Sequence, residues 1–218
     1  MATGTTPGGH VRFPGYDVLG QADTWDPVTK GVVLRRLAPP PTPRFFDARL
    51  EAIARPLCDR LLAQDHDPKV PVFELIDERL TENETDGWRY EDMPEDGEAW
   101  RRSLGHVDDD AAERYQRHFW ELDPAEQKEL LESIRTAKEW HGLPADRVWS
   151  LWMRYVCAAF YSHPWAWNEI GFGGPAYPRG YANVGPGRRE HWERPEVDAR
   201  NPVRWATRVE DARHRHQR

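Results

Sequence analysis

Between Tyr161 and Tyr181 the chain reads YSHPWAWNEIGFGGPAYPRGY. Gly171, Gly173, Gly174 and Gly180 loosen this backbone, while Pro164, Pro175 and Pro178 fix φ and remove donors. The run is therefore expected to form neither a helix nor a central strand. Its three Tyr, two Trp and one Phe also make it too aromatic for a solvated linker, because disordered segments are poor in such residues. A segment too irregular to pack on itself and too apolar to stay wet must lie against something, either its own helices or another protein.

The 218 residues suit one domain, or one domain with long extensions. With 39% apolar and 31% charged residues a core is available, though not a generous one. A formal charge of −7 argues against nucleic acid, which rewards a basic patch. The basic RHRHQR end (213–218) reads as a frayed tail. Eleven Trp fit either a partner interface, where Trp is enriched, or a small aromatic core. Cys58 and Cys157 fall at apolar positions of helical patterns, as inert thiols do, and they could pair only if their two helices pack together. No window approaches the apolar length of a membrane span, and the first residues lack a basic-then-apolar export signal. Arg35–Arg36 is followed by Leu37, Ala38 and prolines rather than by the apolar stretch an export signal needs. The sequence thus reads as a soluble chain.

The expected fold class is mainly α: a small irregular helical bundle, long extended N- and C-terminal arms, and an aromatic Gly/Pro-rich loop. Residues 1–44 read as an extended arm, broken by Asp26-Pro27 and Pro39-Pro40-Pro41, with a short strand at Gly31 to Leu34. Residues 45–187 read as the helical domain and 188–218 as a polar tail. Helical spacing predicts a helix from Phe45 to Gln64, bent at Pro56, and a shorter one through Val72, Phe73, Ile76 and Leu80. Trp100 and Leu104 suggest one or two turns, and Asp109 or Asp110 a cap for a helix running to Trp120. Asp123-Pro124-Ala125-Glu126 is a strong helix start. Its helix is expected to stop near Gly142. Pro144 opens the last helix, which His163-Pro164 ends.

Chemistry of the chain's own finds little support. The nine His form no H-E-x-x-H or Glu-x-x-His pattern, so neither a metal nor a cofactor is expected in this chain. GFGGPAYPRG has glycines but lacks the strand before, the helix after and the lysine of a phosphate loop. No Ser or Cys sits in a nucleophile elbow. The acidic runs Glu91–Asp92 and Asp108–Asp110 read as solvated faces. One enzymatic alternative remains, with His163 as base near Asn168 or Glu169.

The order FFDARLEAIARPLCDRLLAQD, VPVFELIDERL, HFWELDPAEQKELLESI and finally the aromatic run resembles the gluconate 2-dehydrogenase subunit 3 (gamma or small subunit) family, from Phe45 to Gly185. The resemblance implies a helical accessory subunit without catalytic residues of its own. Its partner would be a large subunit of the glucose-methanol-choline (GMC) oxidoreductase class that holds FAD and acts on sugars or sugar acids. A cytochrome c subunit is a further partner, and the small subunit supports assembly, stability or export of the large one. Family members commonly carry a twin-arginine signal that is not seen here. The complex is therefore expected in the cytoplasm, or in the periplasm or outside the cell if the partner carries the signal. The arm HVRFPGYDVLGQADTWDPVTKG lies outside the usual family core. The expected partner surface is Tyr161, His163, Trp165, Trp167, Phe172, Tyr177 and Tyr181, with Gly173 and Gly174 permitting close approach. The alternative is that the loop folds back on its own helices; a stand-alone adaptor or chaperone remains the second functional reading.

Overall fold

Four of the helices begin where a side chain satisfies the first free amides, at Asp26, Asp47, Asp123 and His163. The computed structural model describes residues 4–7, 12–186 and 188–195, so the RHRHQR end, with His214 and His216, lies outside the described residues. Helix α1 spans Pro27–Arg35, α2 Ala48–Leu62, α3 Val72–Thr81, α4 Asp96–Tyr115, α5 Pro124–Thr136, α6 Ala145–Ser162 and α7 Pro164–Ile170. Strands β1 (Glu139–Trp140) and β2 (Leu143–Pro144) make one small antiparallel hairpin. Asp47 caps α2 by accepting from the Leu50 amide. Asp123 accepts from the amides of Ala125 and Glu126 while Glu126 reaches back to the Asp123 amide, the reciprocal box expected from the sequence.

Helix α6 is the axis of the bundle, packing against α2, α3, α4, α5 and α7. Its stripe of Val148, Leu151, Trp152, Tyr155 and Val156 is buried, and it meets Ile53 and Leu57 of α2, Ile76 of α3 and Trp100 of α4 in one core. Trp100, Trp140 and Trp152 lie inside that core, so much of the tryptophan excess fills space. The Trp152 indole donates to Ser103 Oγ at 3.0 Å, so its buried N–H is satisfied. Cys58 on α2 is buried, and Cys157 on the neighbouring α6 is half-buried; both are free thiols.

Three local expectations are corrected. The strand at Gly31 to Leu34 is part of helix α1, because Asp26 accepts from the amides of Val28 and Thr29 and Pro27 takes the first helical position. Asp26-Pro27 is thus a start signal of the same kind as Asp123-Pro124, not a breaker. The helix expected from Asp109 or Asp110 begins much earlier, at Asp96, and is continuous through Trp100, Leu104, Val107 and Ala111, which form one buried stripe. It stops at Gln116, whose φ of 53° is left-handed, and Phe119–Glu121 form a separate 3-10 turn. Helix α5 ends at Thr136 rather than near Gly142, because His141 and Gly142, with φ of 49° and 74°, make the two-residue turn of the hairpin.

The N-terminal arm is packed. Tyr16, Val18, Ala22, Trp25 and Val33 form a second small core with Trp167 of α7. The 3-10 helix Val18–Thr24 is capped by Asp17 and lies along α7.

Candidate functional site

The aromatic run divides into a short helix and a ribbon. Residues Pro164–Ile170 are helical although the run was expected to exclude a helix; its prolines and glycines punctuate the element instead of occupying its interior. Pro164 takes the first helical position and Gly171, with φ of 67°, terminates it in the left-handed region. The Phe172 amide then donates to the Trp167 carbonyl at 2.9 Å. From Phe172 to Tyr181 the backbone is an irregular ribbon.

His163 sits at the junction of α6 and α7. It is 2% exposed, and its Nδ1 accepts from the Trp165 amide at 3.2 Å. Burial lowers its pKa to about 4, a backbone hydrogen bond at Arg36 opposes this, and the Arg36 charge adds to the lowering. The imidazole is a neutral helix cap. Asn168 is buried as well: its Oδ1 accepts from the Val18 amide at 2.8 Å, and its Nδ2 donates to the Thr5 carbonyl at 2.9 Å. Of the groups in the enzymatic reading, His163 with Asn168 or Glu169, the first two are thus held in structural hydrogen bonds, and Glu169 is half-buried.

Trp167 is buried in the second core, and its indole donates to the Tyr161 carbonyl at 2.6 Å. Its ring meets Phe172 edge-on at 5.5 Å. Trp165 is half-buried, with its ring 4.9 Å from His163. Gly173 and Gly174 are buried too. A Cβ at Gly174, where φ is 72°, would stand 2.7 Å from the Trp25 ring, and one at Gly173 would stand 2.5 Å from Trp192 Nε1. The close approach these glycines permit is thus to the chain's own Trp25 and Trp192. Arg179 braces the same spot, with its guanidinium 3.9 Å from the Trp192 ring centre and Nη2 donating to the Gly173 carbonyl at 2.7 Å.

What remains outward is a set of aromatic rings on a fixed backing. Tyr161 is 47% exposed, Phe172 40%, Tyr177 70% and Tyr181 48%. Ile170, at the end of α7, and Val184, just past the ribbon, are exposed in the same stretch of chain. Beside Tyr161 a groove of about 360 Å³ runs between α2 and α6, lined by Leu61, Leu62, Met153, Cys157 and Phe160. Such a surface can bind, but it offers no nucleophile with an oriented base.

Elsewhere, one carboxylate departs from the expectation of a solvated acidic face. Asp108 is 2% exposed and receives the Phe119 amide at 3.1 Å, Arg49 Nη2 at 3.0 Å and His118 Nδ1 at 3.2 Å. Burial acts to raise its pKa, but the Phe119 amide, Arg49 and His118 outweigh it and the net shift is downward. Its oxygens are committed to joining α4 to α2 and the 3-10 turn. Among the described residues no group of His, Cys, Asp or Glu is arranged to hold a metal ion, and no helix is long and apolar enough to cross a membrane.

Sequence reasoning missed Tyr16, Trp25, Trp192 and Arg179 as partners of the ribbon. The paired glycines were the available signal, since adjacent small residues beside aromatics invite a ring to close over them. Residues 48–174 match the family model described as Gluconate 2-dehydrogenase subunit 3. No curated protein and no solved structure matches the chain. The matched stretch runs from the first residue of α2 through Gly174 and covers more than half of the 218 residues. The chain belongs to the gluconate 2-dehydrogenase subunit 3 family.

Proposed function

We propose that this protein is the non-catalytic accessory subunit of a dehydrogenase complex, docking through the outer face of its aromatic ribbon on a large subunit of the GMC class that carries FAD and oxidises sugars or sugar acids. Family membership supports the accessory role. The observation that carries the docking reading is the exposure of Phe172, Tyr177, Tyr181 and Tyr161 on a backbone whose inner side is already packed. Aromatic side chains held this way immobilise few torsions on binding, and interface hot spots are enriched in such residues. Removal of a central one typically weakens a complex by about 2 kcal/mol or more. The site holds and orients a partner, and the redox chemistry is that of the partner's flavin. A cytochrome c subunit would accept the electrons beyond it. The compartment follows the partner: cytoplasmic, or exported together with a signal-bearing large subunit.

Co-expression with the large flavoprotein tests this. A stable complex with flavin absorption is expected, and Tyr177→Ala together with Phe172→Ala should weaken it without unfolding the bundle. A large subunit that folds, binds FAD and turns over equally well without this chain would remove the proposal. An assembly chaperone is the second reading, favoured by the same surface. It is separated by stoichiometry, because a chaperone leaves the mature enzyme and a subunit stays.

A further inference from the structure

The ribbon owes its shape to chain outside the family match. Within itself, the stretch from Phe172 to Tyr181 shows the Gly180 amide donating to the Ala176 carbonyl at 2.6 Å and Arg179 Nη2 donating to the Gly173 carbonyl at 2.7 Å. Trp167 and Trp192 add the Phe172 amide bond and the packing on Gly173 and Arg179, and a further set of ties comes from the arm. Tyr16 Oη donates to the Phe172 carbonyl at 2.8 Å. Trp25 forms an antiparallel bridge with Pro178, and its ring covers Gly174. Arg179 Nη1 donates to Thr24 Oγ1 at 3.1 Å. The Phe13 ring lies against Gly171, where a Cβ would stand 2.7 Å away. Asn168 spends its amide on Val18 and Thr5, and Arg36, just past α1, donates to the Ser162 carbonyl at 2.8 Å. All of these arm residues precede residue 48, where the family match begins.

We infer that residues 13–33 are a built-in clamp that holds the ribbon in one docking-ready conformation, with Trp25 and Tyr16 as its positioning residues and Asn168 of α7 as the anchor that seats it. The inference rests on the reading of the ribbon as partner surface and adds what makes that surface usable. A ribbon rich in Gly and Pro, left to itself, samples many conformers and loses them on docking, which subtracts from affinity. The clamp removes that loss in advance, as preorganisation does in designed binders. The division of labour is visible in the side chains. The clamp takes the glycine backbone and Trp167, and it leaves outward the rings of Tyr177 and Tyr181. The positioning residues do not themselves need to touch the partner.

The test uses the full chain, with a purified FAD-loaded large subunit of the GMC class as the probe. Asn168→Ala and Trp25→Ala are compared with Trp88→Ala, which removes an exposed ring outside the clamp. Hydrogen exchange of residues 171–181, thermal unfolding of the bundle and affinity for the flavoprotein are read in parallel. Clamp variants should exchange faster in 171–181, retain the bundle transition and bind about 10- to 100-fold more weakly, while Trp88→Ala changes neither exchange nor affinity. Tyr16→Phe deletes one hydroxyl and serves if the larger changes prevent folding; a smaller change in the same direction is expected. Unaltered ribbon exchange, or faster exchange with undiminished affinity, overturns the clamp. A wild-type chain that binds no flavoprotein sinks the parent reading instead, and the exchange data then decide whether the arm orders the ribbon at all.

Discussion

His163 enters the folded chain as a neutral cap, and that choice has a measurable consequence. Its pKa is lowered from 6.5 to about 4, chiefly by burial. Between those two values the unfolded chain binds more protons than the folded one, so stability is complete above about pH 6.5 and falls as the pH drops toward 4, by up to about 3 kcal/mol. Urea midpoints measured across that range should show the loss, and His163→Asn, which keeps an acceptor for the Trp165 amide, should flatten it. Asp108 makes a different case, because it is deprotonated and triply held. Asp108→Ala leaves the Phe119 amide and Arg49 without their acceptor and should cost about 2–4 kcal/mol in chemical denaturation, with Asp108→Asn costing less. Sequence did not distinguish Asp108 from Asp109 and Asp110. Three identical neighbours differ only by the rotation of about 100° per residue along a helix. That rotation places Asp108 on the side of Leu104 and Ala111, both of which are buried.

Helix ends were legible wherever a short-range rule governs them. Asp123-Pro124 with Glu126 declares α5 because every partner lies within four residues. The same rule, applied to Asp26-Pro27, finds α1, and applied to His163-Pro164 with Gly171 it finds α7. In both places the capping acceptor and the proline at the first helical position outweigh the composition of the residues that follow. The closing of Trp25 over Gly174 was not legible, since it joins residues some 150 positions apart and no local rule reports such a pairing. It is testable as an element: Gly174→Ala places a methyl at positive φ against an indole, which should destabilise the second core by about 1–3 kcal/mol. Near-UV circular dichroism should lose part of its tryptophan signal while far-UV helicity holds. Retention of the full near-UV signal would contradict the packing described.

At the scale of the whole molecule, two cores share one chain. The larger belongs to the helical bundle around α6, and the smaller joins the arm to α7. Bundle membership could be read from apolar stripes, since those repeat at the helical period. Which side of the ribbon faces inward could not, because an irregular segment has no period to read. The family supplies the accessory role, and the fold supplies a surface rich in exposed tyrosine. Affinity purification of the native chain from its host, followed by a visible spectrum, tests this account most directly. A co-purifying large subunit with flavin bands, in constant ratio to the chain and lost on Phe172→Ala/Tyr177→Ala substitution, is the predicted result. A colourless, partner-free monomer that leaves the host's flavin dehydrogenases fully assembled would contradict it.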